Sequence, residues 1–171
     1  MRDLRLTTAG KSTRIIGVIG SVRGLSAVEA IAACSERLCG LLFGAANMPW
    51  DIGCDASWDP LVFPRGRLYA ACAGAGVVAI DGPFSDVLNR AGCQTEAVRG
   101  AFGFGAKAAI HPVQVRPIQA ALTPSELAVR EAMAYLARNG EGTESCVKDA
   151  RAARAARAAR TARKILAAAG H

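Results

Sequence analysis

The sequence predicts an α/β fold made of consecutive βα units, and three observations predict it. Short β-branched apolar runs alternate with longer stretches whose apolar residues recur at helical spacing. The runs are continuously apolar, as the strands of a parallel sheet are when both faces are covered. Polar or special residues collect where each run ends, at Gly20-Ser21, Gly44-Ala45-Ala46-Asn47, Asp81-Gly82-Pro83 and His111-Pro112. In βα folds those carboxyl ends form the functional face.

Residues 1–14 are polar, show no periodicity and read as a tail. IIGVIG (15–20) is bounded by glycine and reads as the first strand, followed by LSAVEAIAACSERLCG (25–40) at helical spacing with Gly40 as its stop. LLFGA (41–45) predicts the second strand and the alanine-rich stretch near 60–74 its helix, which Asp59-Pro60 suits as a start. VVAIDG (77–82) and the segment around 86–102 form the third pair. AKAAIHP (106–112) is the fourth strand, followed by PIQAAL and by SELAVREAMAYLARNG (125–140), with Ser125 as N-cap and Gly140 as C-cap. Crossover connections between parallel strands are right-handed, so the sequence implies four βα units in a row. Four strands cannot close a barrel, which makes the strands at 15–20 and 106–110 the expected sheet edges.

Residues 141–171 differ in kind. They begin as a linker and continue as DARAARAARAARTARKILAAAG, a three-residue repeat of two good helix formers. A step of three residues advances 300° rather than 360°, so the arginines drift backwards by ~60° per repeat and wind around the helix. The expected organisation is therefore a tail (1–14), a domain (15–140), and a linker with an Ala/Arg-rich helix (141–171).

Bulk composition narrows the function classes. At 51% hydrophobic and 20% charged residues the chain is ordinary for a folded domain, though its 171 residues fall short of the ~250 typical of a closed (β/α)8 barrel. Six cysteines at 34, 39, 54, 72, 93 and 146 form no CxxC motif and are expected to be reduced, buried thiols. No apolar run reaches the ~18 residues of a membrane span, and MRDLRLTTAGKSTR offers no signal peptide, so the expected location is cytoplasmic, away from membranes. The formal charge is +7, but Arg151, Arg154, Arg157, Arg160, Arg163 and Lys164 account for all but one unit of it. The body is thus nearly neutral. With no aromatic residue among the tail arginines there is no stacking platform for single strands, and nucleic-acid or other polyanion binding is the lesser reading of the tail.

The isolated motifs are weak. Gly10-Lys11-Ser12-Thr13 echoes the end of a P-loop, but Arg5 stands where the first glycine belongs and no strand precedes it. Gly74, Gly76 and Gly82 do not make a dinucleotide fingerprint, since position 79 is Ala. Ser21 and Ser26 lie in no nucleophile elbow, and His111 and His171 give a serine triad little material.

Four strings together carry more: LLFGAANMPWDIGC, DPLVFPRGRLYAACAGAGVVAIDGPFSDV, GFGAKAAIHPVQVRPIQAALTPS and TARKILAAAG. They resemble successive segments of the citrate lyase beta-subunit family of CoA-ester lyases, which includes malyl-CoA and citramalyl-CoA lyases, over residues 15–140 and the last ten or so. The resemblance implies the C-terminal half of a TIM-type (β/α)8 barrel, strands five to eight. It implies carbon–carbon bond cleavage or formation in an acyl-CoA or small hydroxy acid, with Mg²⁺ stabilising the charge that develops on an enolate oxygen. One family ligand is a Glu in a string like IETARG, which here reads IGSVRG and puts Gly20 at the ligand position. The other is an Asp in a string like GAEDM, which here reads GAANM and puts Asn47 there. Both ligand positions are altered, so metal binding is expected to be weak or absent and the ancestral activity impaired. By the same resemblance Gly44, Ala45, Asp81 and His111 are the candidate substrate-binding residues, with Asp81 a candidate for catalysis or for bracing the DGPF turn. A homo-oligomer or a complex with a longer homologue is expected, since two half barrels can complete each other. The rival readings are a non-catalytic interaction subunit and a polyanion binder acting through the tail.

Overall fold

The computed structural model describes residues 13–123, together with Leu127 and Arg130. The chain divides into two compact units, Met1–Leu122 and Thr123–His171. Most of the helix expected at 125–140 and all of the arginine repeat lie outside the described residues, as does Cys146.

The described part of the first unit is a run of βα units around one parallel sheet. Its elements are β1 (Ile15–Ile19), α1 (Val22–Ser26), α2 (Val28–Ala32), β2 (Leu38–Phe43), α3 (Met48–Ile52), α4 (Val62–Ala75), β3 (Val78–Asp81), α5 (Arg90–Gly100), β4 (Ala106–Lys107) and α6 (Val115–Leu122). Short 3-10 turns at Asp59–Leu61 and Pro112–Gln114 lead into α4 and α6. The four strands lie in the order β1-β2-β3-β4, every pair parallel, so β1 and β4 are the edges as the four-unit reading requires.

The helix expected over 25–40 is cut short. Ser35 Oγ accepts from the Arg37 amide, a local turn that competes with helix, and Leu38 then opens β2. Gly40 is a strand residue rather than a helix stop. A Cβ there would meet the Val78 carbonyl oxygen at 2.9 Å, so the glycine allows β2 and β3 to approach. The register between β1 and β2 slips by one residue after Ile15, which brings Leu38 and Leu41 to the same side of the sheet as Gly17. β4 is shorter than AKAAIHP suggested, and α3 was not read from the sequence.

The sheet is not covered on both faces, contrary to what its continuous apolar strands suggested. Ile19, Leu41, Phe43 and Ala79 pack with Leu25, Val28 and Ala32 from α1 and α2 and with Leu68, Ala71 and Cys72 from α4. The opposite face leaves Ile16 and Val18 of β1 54% and 60% exposed, and Val78 of β3 42%. Continuous apolar strands belong to a sheet meant for two covers, and the described residues supply one.

The cysteines are free thiols where described, though Cys34 is exposed rather than buried. Burial pushes the Cys72 thiol up to about 11, against a smaller opposing effect of the Leu41 backbone hydrogen bond. Cys93 is raised for the same reason, with the nearby Lys107 charge opposing. Among the described residues no helix is long and apolar enough to cross a membrane.

Candidate functional site

The carboxyl ends of β1, β2 and β3 meet through residues small enough for backbone to touch backbone. A Cβ at Gly44 would lie 2.6 Å from the Gly20 Cα, and one at Gly82 would lie 2.6 Å from the Ala45 Cβ and 2.7 Å from the Phe43 carbonyl oxygen. Gly20 itself faces Asn47: an added Cβ would sit 3.2 Å from the Asn47 Cβ and 3.5 Å from its Nδ2. Gly20, Gly44, Ala45, Asn47 and Gly82 therefore form one continuous rim.

Local chemistry fixes the loops around it. Ser21 is the N-cap of α1, its Oγ accepting from the Gly24 amide at 3.0 Å. Asp51 of α3 accepts from the Val22 amide and ties the loop after β2 to the helix after β1. Asn47 precedes α3 without using its side chain as a cap, and the residue is exposed.

Asp81 ends β3 but points away from this rim, into the helix-covered side, where it is fully buried. One carboxylate oxygen accepts from Arg65 Nε at 3.0 Å and the other from Lys107 Nζ at 2.7 Å. Lys107 also donates to Glu96 Oε1 and to the Gly82 carbonyl, each at 2.7 Å. The four charges cancel, which is what allows Arg65, Asp81 and Lys107 to be buried with half-buried Glu96 beside them, since an unpaired ion there would cost several kcal/mol. The Arg65 guanidinium is sandwiched 4.7 Å from the Phe43 ring centroid and 4.4 Å from that of Trp58, and Arg99 stacks on Trp58 at 4.8 Å. The Arg65 Nη1 has no hydrogen-bond partner among the described residues, so the rings supply part of what a further acceptor would.

The turn after β3 is pinned twice, by Lys107 at Gly82 and by buried Gln114, whose Nε2 donates to the Phe84 carbonyl while its Oε1 accepts from the Ile110 amide. His111 is exposed and caps the 3-10 turn, Nδ1 accepting from the Val113 amide at 3.2 Å. The structure thus gathers Gly20, Gly44, Ala45 and Asn47, and sets Asp81 on the other side of the sheet. Sequence reasoning missed Arg65, Glu96, Lys107 and Gln114. The available signal was Lys107 inside an apolar strand, opposite Asp81 in the parallel register.

Mg²⁺ needs hard oxygen ligands, usually with one or two protein carboxylates among them. At the rim Gly20 offers no side-chain oxygen and Asn47 a neutral amide, so the positions that the resemblance assigns to the metal do not fit it. Among the described residues there is also no group of three or more His, Cys, Asp or Glu placed to hold a metal ion.

Comparison with known proteins agrees with this architecture. The family model described as HpcH/HpaI aldolase/citrate lyase matches residues 2–112. An L-malyl-CoA/beta-methylmalyl-CoA lyase of Cereibacter sphaeroides is 35% identical over 140 residues, covering 70% of this chain and 44% of its own. RipC from Yersinia pestis superposes with a TM-score of 0.68 at 53% identity, over 69% of this chain and 55% of that one. A citrate lyase beta subunit from Mycobacterium tuberculosis, solved with oxaloacetate and magnesium, gives 0.59 at 27% identity, over 65% and 53%. The chain spans about half the length of the curated relatives it matches, and its four-stranded parallel sheet is half of their barrel fold. With the family model matched over most of the chain and the sheet built as half of that barrel, this chain belongs to the HpcH/HpaI aldolase/citrate lyase family.

Proposed function

We propose that this chain is a diverged CoA-ester lyase relative whose Mg²⁺-dependent carbon–carbon lyase activity toward an acyl-CoA or small hydroxy acid is impaired. The observation that carries the reading is the juxtaposition of Gly20 and Asn47, where a Cβ added at Gly20 would lie 3.2 Å from the Asn47 Cβ: the resemblance puts two carboxylate ligands there and neither residue has one. Replacing both carboxylates removes two negative charges from a corner that has to hold a dication. Gly44 and Ala45 then serve to keep the rim tight against Gly20 and Gly82, where a substrate oxygen would approach.

The test is calorimetry of the whole chain with Mg²⁺. The wild-type chain should show no micromolar binding, and micromolar binding would overturn the reading. Gly20→Glu with Asn47→Asp should bind about tenfold tighter or better, as expected for regained charge-assisted contacts. Cleavage of a hydroxyacyl-CoA should not return in the double variant alone, because misplaced substrate costs ~100-fold or more even when the catalytic groups are present.

A second reading is favoured by the open sheet face: the chain acts as an interaction subunit, pairing with itself or with a longer homologue. Ile16, Val18 and Val78 lie on one uncovered apolar surface, and burying it stabilises by roughly 25 cal/mol per Å². Light scattering should then find a dimer or larger species, and a stable monodisperse monomer would count against pairing.

A further inference from the structure

We infer that the groove between α5 and α6 is a binding site for a diphosphate group. It is a shallow, solvent-open groove of about 450 Å³, lined by Arg90, Ala91 and Gln94 from one helix and Arg116, Pro117 and Ala120 from the other. The two walls have the same spacing, i, i+1 and i+4, which puts each set on one helix face. Ala91 and Ala120 keep the groove open where larger side chains would fill it.

Every charged residue of the lining is cationic. Among the described residues neither Arg90 nor Arg116 has an ion pair, whereas Arg65, Arg67 and Arg99 each have one. The acids nearest Arg90 in sequence are Asp86 and Glu96, and the one nearest Arg116 is Glu126, which lies outside the described residues. Neither Asp86 nor Glu96 lines the groove, and Glu96 is taken by Lys107. Neither α5 nor α6 has an acid in its first turn, so the positive end of each helix dipole adds to the arginines. At the start of α5 the Asn89 side chain caps Gly92 and the Arg90 amide bonds the Leu88 carbonyl, while the Ala91 amide has no partner among the described residues. Two guanidinium forks and the Gln94 carboxamide form a donor set for a compact anion with many oxygens, and a diphosphate offers one phosphoryl unit to each fork. This groove does not depend on whether the chain turns over a thioester.

The probe is inorganic pyrophosphate, titrated calorimetrically into the full chain at low ionic strength. Arg90→Gln and Arg116→Gln should each weaken binding about tenfold and the double variant should abolish it. Arg116→Lys, which keeps the charge and loses the fork, should fall between. Because the arginine tail can attract anions by itself, a full-length chain with Arg151, Arg154, Arg157, Arg160 and Arg163 changed to Gln serves as the control and should bind as the wild type does. Competition by coenzyme A would assign the site to a diphosphate carried on a nucleotide, and its absence to free diphosphate. Binding unchanged in the groove variants, absent from the wild-type chain, or lost in the tail variant alone would overturn the inference. Arg90 and Arg116 are exposed, so circular dichroism should show all variants folded.

Discussion

Two corners of one sheet treat charge in opposite ways. At the carboxyl ends of β1 and β2, Gly20 and Asn47 face each other and neither carries a charge. At the ends of β3 and β4, buried Arg65, Asp81 and Lys107 and half-buried Glu96 are linked by three ion pairs of 2.7–3.0 Å. The first corner opens to the rim, where a charge would be free to bind a ligand. The second is closed under α4 and α5, where each charge is consumed by its neighbours. Charge survives in this chain where it holds the turn after β3 in place, and is missing where the resemblance would have it hold a cation.

The largest expected effect comes from breaking the charged corner. Lys107→Met removes the ammonium that serves Asp81, Glu96 and the Gly82 carbonyl together, leaving a buried carboxylate with Arg65 alone. Loss of one member of a buried ionic network should destabilise the chain by about 3–5 kcal/mol, read from the urea midpoint. Adding Glu96→Gln should recover part of it, because one uncompensated anion is removed. If Lys107→Met costs less than about 1 kcal/mol, the network is not what braces the turn.

The two corners also differ in how far the sequence exposed them. The rim was legible because its residues are contiguous in short strings: IGSVRG and GAANM announce their own places at strand ends. The network was not, since Arg65 lies 16 residues from Asp81 and Lys107 lies 26, and only the fold brings them together. An arginine in the first turn of an alanine-rich helix looks like a solvated cation until the Trp58 and Phe43 rings close over it. The order of elements was legible from the alternation of periods, but Gly40 was misread because a glycine after an apolar helical pattern resembles a stop. What it permits, a Val78 carbonyl oxygen 2.9 Å from where a Cβ would stand, is a property of a neighbour 38 residues on. The open face escaped notice for a related reason: strand composition records the covering a sheet was built for, and the described residues bring helices to one side alone.

The smallest effects distinguish glycines that the rim requires from those it does not. Gly44→Ala would drive a methyl to 2.6 Å from the Gly20 Cα and 3.1 Å from its amide nitrogen, and backbone cannot yield as a flexible side chain does. Overpacking of this kind should cost about 1–3 kcal/mol. The same change at Gly20 meets the exposed Asn47 side chain at 3.2 Å, a contact that a few tenths of an ångström relieves, so Gly20→Ala should cost less. Gly74 lies inside α4 with nothing within 4 Å of an added Cβ, and there Ala should stabilise by roughly 0.5–1 kcal/mol through its better helix propensity. Thermal unfolding of the three variants should therefore rank Gly74→Ala above the wild type, Gly20→Ala just below it and Gly44→Ala lowest. If Gly20→Ala falls as far as Gly44→Ala, the corner has no room for a side chain at position 20. A carboxylate could not then be restored there, and the assignment of that position to a lost ligand would fail with it.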